Sequence, residues 1–168
     1  VPTGLAADKD GSHLVVVSSD FDFAFDSGAV LVADLNDLRP KLGAADDLVE
    51  KPWQSAIKIP PLGDRPVITD DGTVFVVTRG GNLLHELQLD GGDLSCGDGD
   101  SCTLPPHVLQ LGANDPDRTV IFPNADETDV GVRGLITHLS SAQAEIFNFD
   151  PAVDDAKRLT VERDVIFL

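Results

Sequence analysis

Pro2-Thr-Gly-Leu-Ala-Ala-Asp-Lys-Asp-Gly-Ser-His-Leu-Val-Val-Val17 is the stretch that decides the fold. A proline opens a short apolar strand, Gly4–Ala7. Asp10-Gly11 then turns the chain back, as Asp-Gly does in tight hairpins. His13–Ser18 follows with a continuous β-branched run, the pattern of a buried strand. Working outward, Ala29–Leu35 reads as a third strand and Ser55–Ile59 as a fourth. The order returns as Pro66–Thr69, the turn Asp70-Asp71-Gly72, Val74–Thr78, Leu83–Leu89 and His107–Leu111. It returns again as Thr119–Phe122, Gly134–Leu139, Ala144–Phe149 and Lys157–Val161. Repeating units of four short strands are the grammar of propeller blades. The expectation is one all-β domain over residues 1–168, with blades at about 1–63, 64–113 and 114–168. These would be three four-stranded antiparallel blades, forming a segment of a larger β-propeller. Ala44–Val49 offers a single helical turn inside a loop, and no amphipathic helix of useful length is expected.

The repeat also resembles a known family. Pro2 through Val17, then Val30-Leu-Val-Ala-Asp34, then Ile57-Lys-Ile-Pro-Pro-Leu-Gly63 are similar to the YVTN-type repeat of lactonase-like propellers. The third unit departs from it, replacing Asp-Gly by Asn124-Ala-Asp-Glu-Thr-Asp-Val-Gly131. The resemblance implies a ring of about four to eight blades, because closure removes exposed sheet edges. Three blades then call for others, supplied by the parent chain or by another subunit. Both ends fall at blade edges, so the chain reads as a mature or partial segment of a longer polypeptide.

Composition narrows the function. Of 168 residues, 29 are acidic and 12 basic, for a formal net charge of −17. Nucleic acid is an improbable partner without a Lys/Arg footprint, and anionic membrane surfaces repel such a chain. The acidic excess is mainly Asp, the residue of tight turns and of calcium loops. No apolar run reaches the roughly 18 residues of a membrane span. The two cysteines, Cys96 and Cys102, flank a Gly-rich gap short enough for a disulfide, with a metal-binding or free thiol pair as the alternative. A disulfide there would pin a surface loop and points to a periplasmic, cell-surface or secreted location.

Two loops invite functional readings. In Ser19-Asp-Phe-Asp-Phe-Ala-Phe-Asp-Ser27, aromatic and acidic residues alternate. Asp20, Phe21, Asp22, Phe23, Phe25 and Asp26 are the candidate partner-binding residues, since exposed aromatics rimmed by charge mark interfaces. The same phenylalanines could instead fill space beneath a long hairpin loop, and Asp20, Asp22 and Asp26 could hold calcium. The second loop, Asp90–Asp100, puts Asp93, Asp98 and Asp100 on a Gly-rich chain, the ligand type calcium needs, against the plainer reading of a disulfide-tied solvated loop. Structural calcium is the single cofactor these residues suggest. Asp8-Lys-Asp-Gly11 looks similar but sits where the repeat requires a turn.

Catalytic patterns are thin. His13, His85, His107 and His138 are scattered, and neither a His-x-x-x-His pair nor a Gly-x-Ser-x-Gly elbow occurs. His85 and Glu86 are adjacent on a strand and must point to opposite faces. His138 reads as a structural histidine, and Trp53 as an anchor for the long first-blade loop. The function expected is a non-enzymatic binding or scaffold module, partnered by a protein or by further blades. The alternative is part of a metal-dependent, lactonase-like hydrolase whose site lies on other blades.

Overall fold

The computed structural model describes residues 2–20, 26–41, 52–97, 99–122, 131–153, 157–162 and 166–167. Three antiparallel sheets follow one another along the chain. The first is β1 (Pro2–Ala7), β2 (His13–Ser18), β3 (Gly28–Asp34) and β4 (Trp53–Ile59), hydrogen-bonded in that order. The second is β5 (Val67–Ile68), β6 (Thr73–Thr78), β7 (Leu83–Asp90) and β8 (Asp93–Ser95), with β9 (Val108–Gln110) also paired to β7. The third is β10 (Pro116–Phe122), β11 (Val132–His138), β12 (Gln143–Phe149) and β13 (Leu159–Val161), with β14 (Ile166–Phe167) also on β12. A helical turn, α1 (Leu35–Leu38), leaves β3 where the Asp34 carboxylate accepts the Asn36 N–H at 2.7 Å.

The expected three sheets of four strands are therefore present, with shifted edges. Leu35 belongs to α1 rather than to β3. The first strand of the third sheet begins at Pro116, not Thr119, which brings Arg118 onto it. In the second sheet the outermost place is divided: β8 pairs with one end of β7 (Asp90↔Asp93) and β9 with the other (Leu83↔Gln110). The cysteine loop is spliced between these two half-strands. The suggested turn at Ala44–Val49 lies outside the described residues.

Period-two alternation explains the packing. Strand β6 is buried at every position because both of its faces are covered. Val74 and Val76 join Val15, Val17, Val30, Val32, Ile57 and Ile59 of the first sheet in one apolar cluster. Phe75 and Val77 join Ile136, Phe147 and Phe149 of the third sheet in another. The Phe75 ring lies 5.1 Å from that of Phe147 and 5.4 Å from that of Phe149, each inclined to it as aromatic quadrupoles favour. The three sheets thus stack in chain order. Strands β1, β5 and β10 adjoin along one edge, while β4 meets β8 and β9 meets β13 toward the other.

Among the described residues, no neighbouring sheet covers the outward face of the first or the third sheet. On the first sheet, Leu5 pairs with Val16 and Val16 with Leu31, so all three share the side facing away from the second sheet, and Leu5 is 52% exposed. On the third, Val120, Leu135 and Ile146 align across three strands, with Val120 50% and Phe122 46% exposed. Trp53 opens β4 and is itself 42% exposed. No helix among the described residues is long and apolar enough to cross a membrane.

Candidate functional site

The cysteine loop does more than decorate the surface. Cys96 and Cys102 are bonded, with Cα atoms 5.4 Å apart. Both cysteines are buried within the apolar cluster between the first and second sheets, while Gly97, Gly99, Asp100 and Ser101 between them are exposed, so the bond ties a solvated loop, as expected, and roots it in the core. Beyond the bond, Asp100 and Cys102 run alongside β4. The Lys58 N–H donates to Asp100 O at 3.0 Å, and the Cys102 N–H donates to Lys58 O at 2.8 Å. Nearby, the Leu94 N–H donates to the Ser55 hydroxyl at 3.0 Å. A segment of the second sheet's insertion is therefore laid along the outer strand of the first, satisfying edge groups that would otherwise be open.

This docking creates a recess of about 580 Å³. Ser18, Ser19, Asp20, Ser27 and Gly28 form one wall, Ala56 and Lys58 of β4 the floor, and Asp100 the rim. Two loops that are far apart in sequence thus meet at one place. Asp20 is buried at its edge, while Lys58 and Asp100 are exposed. Asp26 is exposed beside Ser27. Phe21, Asp22, Phe23 and Phe25 lie outside the described residues. Lys58 carried no signal in the sequence, because its role depends on a neighbour 42 residues away along the chain.

The calcium candidates separate. Asp93 pairs with Asp90 across the β7–β8 hairpin, Asp100 lies along β4, and Asp98 falls outside the described residues. Among the described residues no group of three His, Cys, Asp or Glu side chains is placed to hold a metal ion. Asp8–Gly11 is a turn, as its place in the repeat requires. Gly11 and its counterpart Gly72 take left-handed φ values of 70° and 87° and donate to Asp8 O and Thr69 O. Burial pushes the Asp8 carboxyl up, but hydrogen bonds from the His13 backbone and ring and the Ser12 hydroxyl prevail and bring it to about 2.

The remaining charged groups are used as fasteners. Glu86 is buried on β7 and faces the third sheet: its Oε1 accepts from Arg158 Nη2 and its Oε2 from His107 Nδ1, both at 2.8 Å. Arg158 in turn sits 5.2 Å above the Phe149 ring. His85, pointing the other way, meets the Thr78 hydroxyl at 2.9 Å, and burial lowers its imidazole to about 4 against a backbone contact with Cys102. His138 is held between Asn114 O at 3.0 Å and Glu145 at 3.2 Å, a structural position. Glu145 also accepts the backbone N–H groups of Gly112 and Ala113, fixing the link between the second and third sheets.

Arg79, in the turn after β6, forms a hub. Its guanidinium reaches Asp117 at 2.8 Å and Asp64 and Asp115 at 3.5 Å each. Burial raises the Asp64 carboxyl above its ordinary value, opposed by the Arg65 N–H and reinforced by neighbouring Asp117. None of these long-range partners was legible from sequence. The available hint was a pair of polar residues, His85-Glu86, inside an otherwise apolar strand, where burial without partners would be costly. No protein-family model matches the chain, and no curated protein matches it significantly.

Proposed function

We propose that this chain is a segment of an extracytoplasmic β-propeller of the YVTN-like kind, acting as a non-enzymatic binding or scaffold module. The observation that carries the reading is the recess at Ser18–Gly28. Two acidic loops converge there on a platform braced by a buried disulfide and two covered sheet interfaces. Recognition elements on loops held by a rigid scaffold are the usual arrangement for binding proteins. Asp20 and Asp100 share the recess with Lys58, and Asp26 is exposed next to Ser27, so the surface suits a protein partner bearing a basic patch.

Membership of a larger propeller is supported by three sheets stacked in one sense and by the bare apolar faces at Leu5 and Val120. Contiguous apolar surface of this kind is normally covered. Further blades, in the same chain or in a partner subunit, are the covering we assign. The buried disulfide supports an oxidising compartment. The competing hydrolase reading calls for carboxylates and histidines on the innermost strands. Among the described residues, the recesses along those strands hold Arg65, Arg118 and a single carboxylate, Asp64, fewer acidic and imidazole groups than a divalent metal needs.

The test is cross-linking from the recess in the protein's native source. A photo-reactive residue at Ser27 should give one discrete adduct with a partner protein. That adduct should disappear in Asp20→Asn/Asp100→Asn while the circular dichroism stays unchanged. Absence of any adduct, or adducts indifferent to those substitutions, would refute recognition through this recess.

A further inference from the structure

Two cations, Arg65 just ahead of β5 and Arg118 on β10, are not used by the loop reading. Adjoining recesses of about 400 and 380 Å³ run along β1, β5 and β10, and Arg65 and Arg118 border both of them. Both residues are exposed. Their position is fixed by the backbone. A Cβ on Gly4 would meet Arg65 Cα at 2.2 Å, so β1 is pressed against the start of β5 and the Arg65 stem leaves from a rigid point.

The nearby carboxylates are already committed. Asp117 Oδ1 accepts from Arg79 at 2.8 Å, leaving Arg118 Nε at 3.8 Å from Oδ2. Asp64 Oδ1 accepts the Arg65 N–H at 2.6 Å, and Asp64 Oδ2 lies 3.5 Å from Arg79. Among the described residues the Arg65 side chain makes no ion pair or hydrogen bond. In a chain with 29 acidic residues to 12 basic, this is not for want of carboxylates. A concave wall with low-dielectric flanks concentrates the field of such cations. Beside the guanidinium groups and Thr119, the second recess also presents Ala6, Val67 and Ile68.

We propose that Arg65 and Arg118 form a binding site for a small organic acid, with its carboxylate or phosphate at the guanidinium groups and its apolar body along Ala6 and Val67. Arginine suits either head group, since its planar fork meets both with paired hydrogen bonds. The apolar floor sets the preference for a ligand with a hydrocarbon chain over a bare anion.

Calorimetric titration of the full chain at low salt, using acetate, hexanoate and inorganic phosphate, tests this. Hexanoate should bind saturably at one site, at least ~10-fold more tightly than acetate, because its hydrocarbon chain leaves water for the apolar wall. Arg65→Ala/Arg118→Ala should weaken hexanoate binding at least ~10-fold, with the melting temperature unchanged because both side chains are exposed. Lys9→Ala, in an exposed turn, should leave binding as it was. Phosphate binding that is lost in the double variant would extend the head group to phosphate and support the cationic half of the site. Hexanoate binding that is absent, no tighter than acetate, or intact in the double variant would overturn the assignment.

Discussion

Glu86 shows how single residues join the sheets. A carboxylate buried on β7 would be costly unless both oxygens were bound, and Arg158 and His107 bind one each. Breaking one side of such a network leaves the other charge stranded. Glu86→Ala should therefore lower the unfolding free energy by about 3–5 kcal/mol in urea titration. Glu86→Gln, which keeps the shape, should cost less. The chain's sequence announces a buried glutamate here only obliquely, as a charge in an apolar strand. The arginine that neutralises it is 72 residues further on, and no periodicity links the two. Residue-scale chemistry of this kind is where sequence reading stops.

At the scale of elements the reading goes further, because strand faces follow from alternation alone. His13–Ser18 and Val74–Thr78 were legible from their β-branched runs, the structure extending the second back to Thr73. β8 was not, since Asp93-Leu94-Ser95 offers a single apolar residue and owes its strand conformation to pairing with β7. The role of the cysteine loop was half legible: the spacing gave the bond, but its burial depends on β4 lying alongside. Of the candidate site, Asp20 and Asp100 do meet around one recess, whereas Asp93 stays apart on its hairpin. Replacing both cysteines by alanine should lower stability by about 2–3 kcal/mol through the unfolded state alone. Loss of core packing adds to this. Hydrogen exchange should rise at the Lys58 and Cys102 amides, which span the junction, before it rises in β6. Equal protection of those amides with and without the bond would show that the docking does not need it.

At the scale of the molecule, stability should depend on pH through groups that folding has displaced. His85 is held neutral down to about 4, whereas the unfolded side chain takes a proton near 6.5. Between these values the unfolded state binds more protons, so stability falls as pH falls across that window and levels off below it. The contribution is on the order of 3 kcal/mol. Asp8 adds a second loss further down, from its ordinary value of 3.8 toward about 2, again because its folded form resists protonation. Urea titrations of the wild type and of His85→Gln at pH 7 and pH 4.5 check this. The wild type should lose its advantage over the variant at the lower pH, and a constant difference would contradict the assignment.

The outward faces of the two outer sheets differ from one another. Among the described residues, one presents Leu5 and the other Val120 and Phe122. Contact of one such face with the other is heterologous rather than a self-complementary, face-to-face pair. If further blades cover these faces, as proposed, each must arrive in one sense and re-create the same acceptor at its far end. Polarity of this kind makes the angle between sheets, rather than the strength of any one contact, the quantity that decides between a finite ring and an unbounded filament.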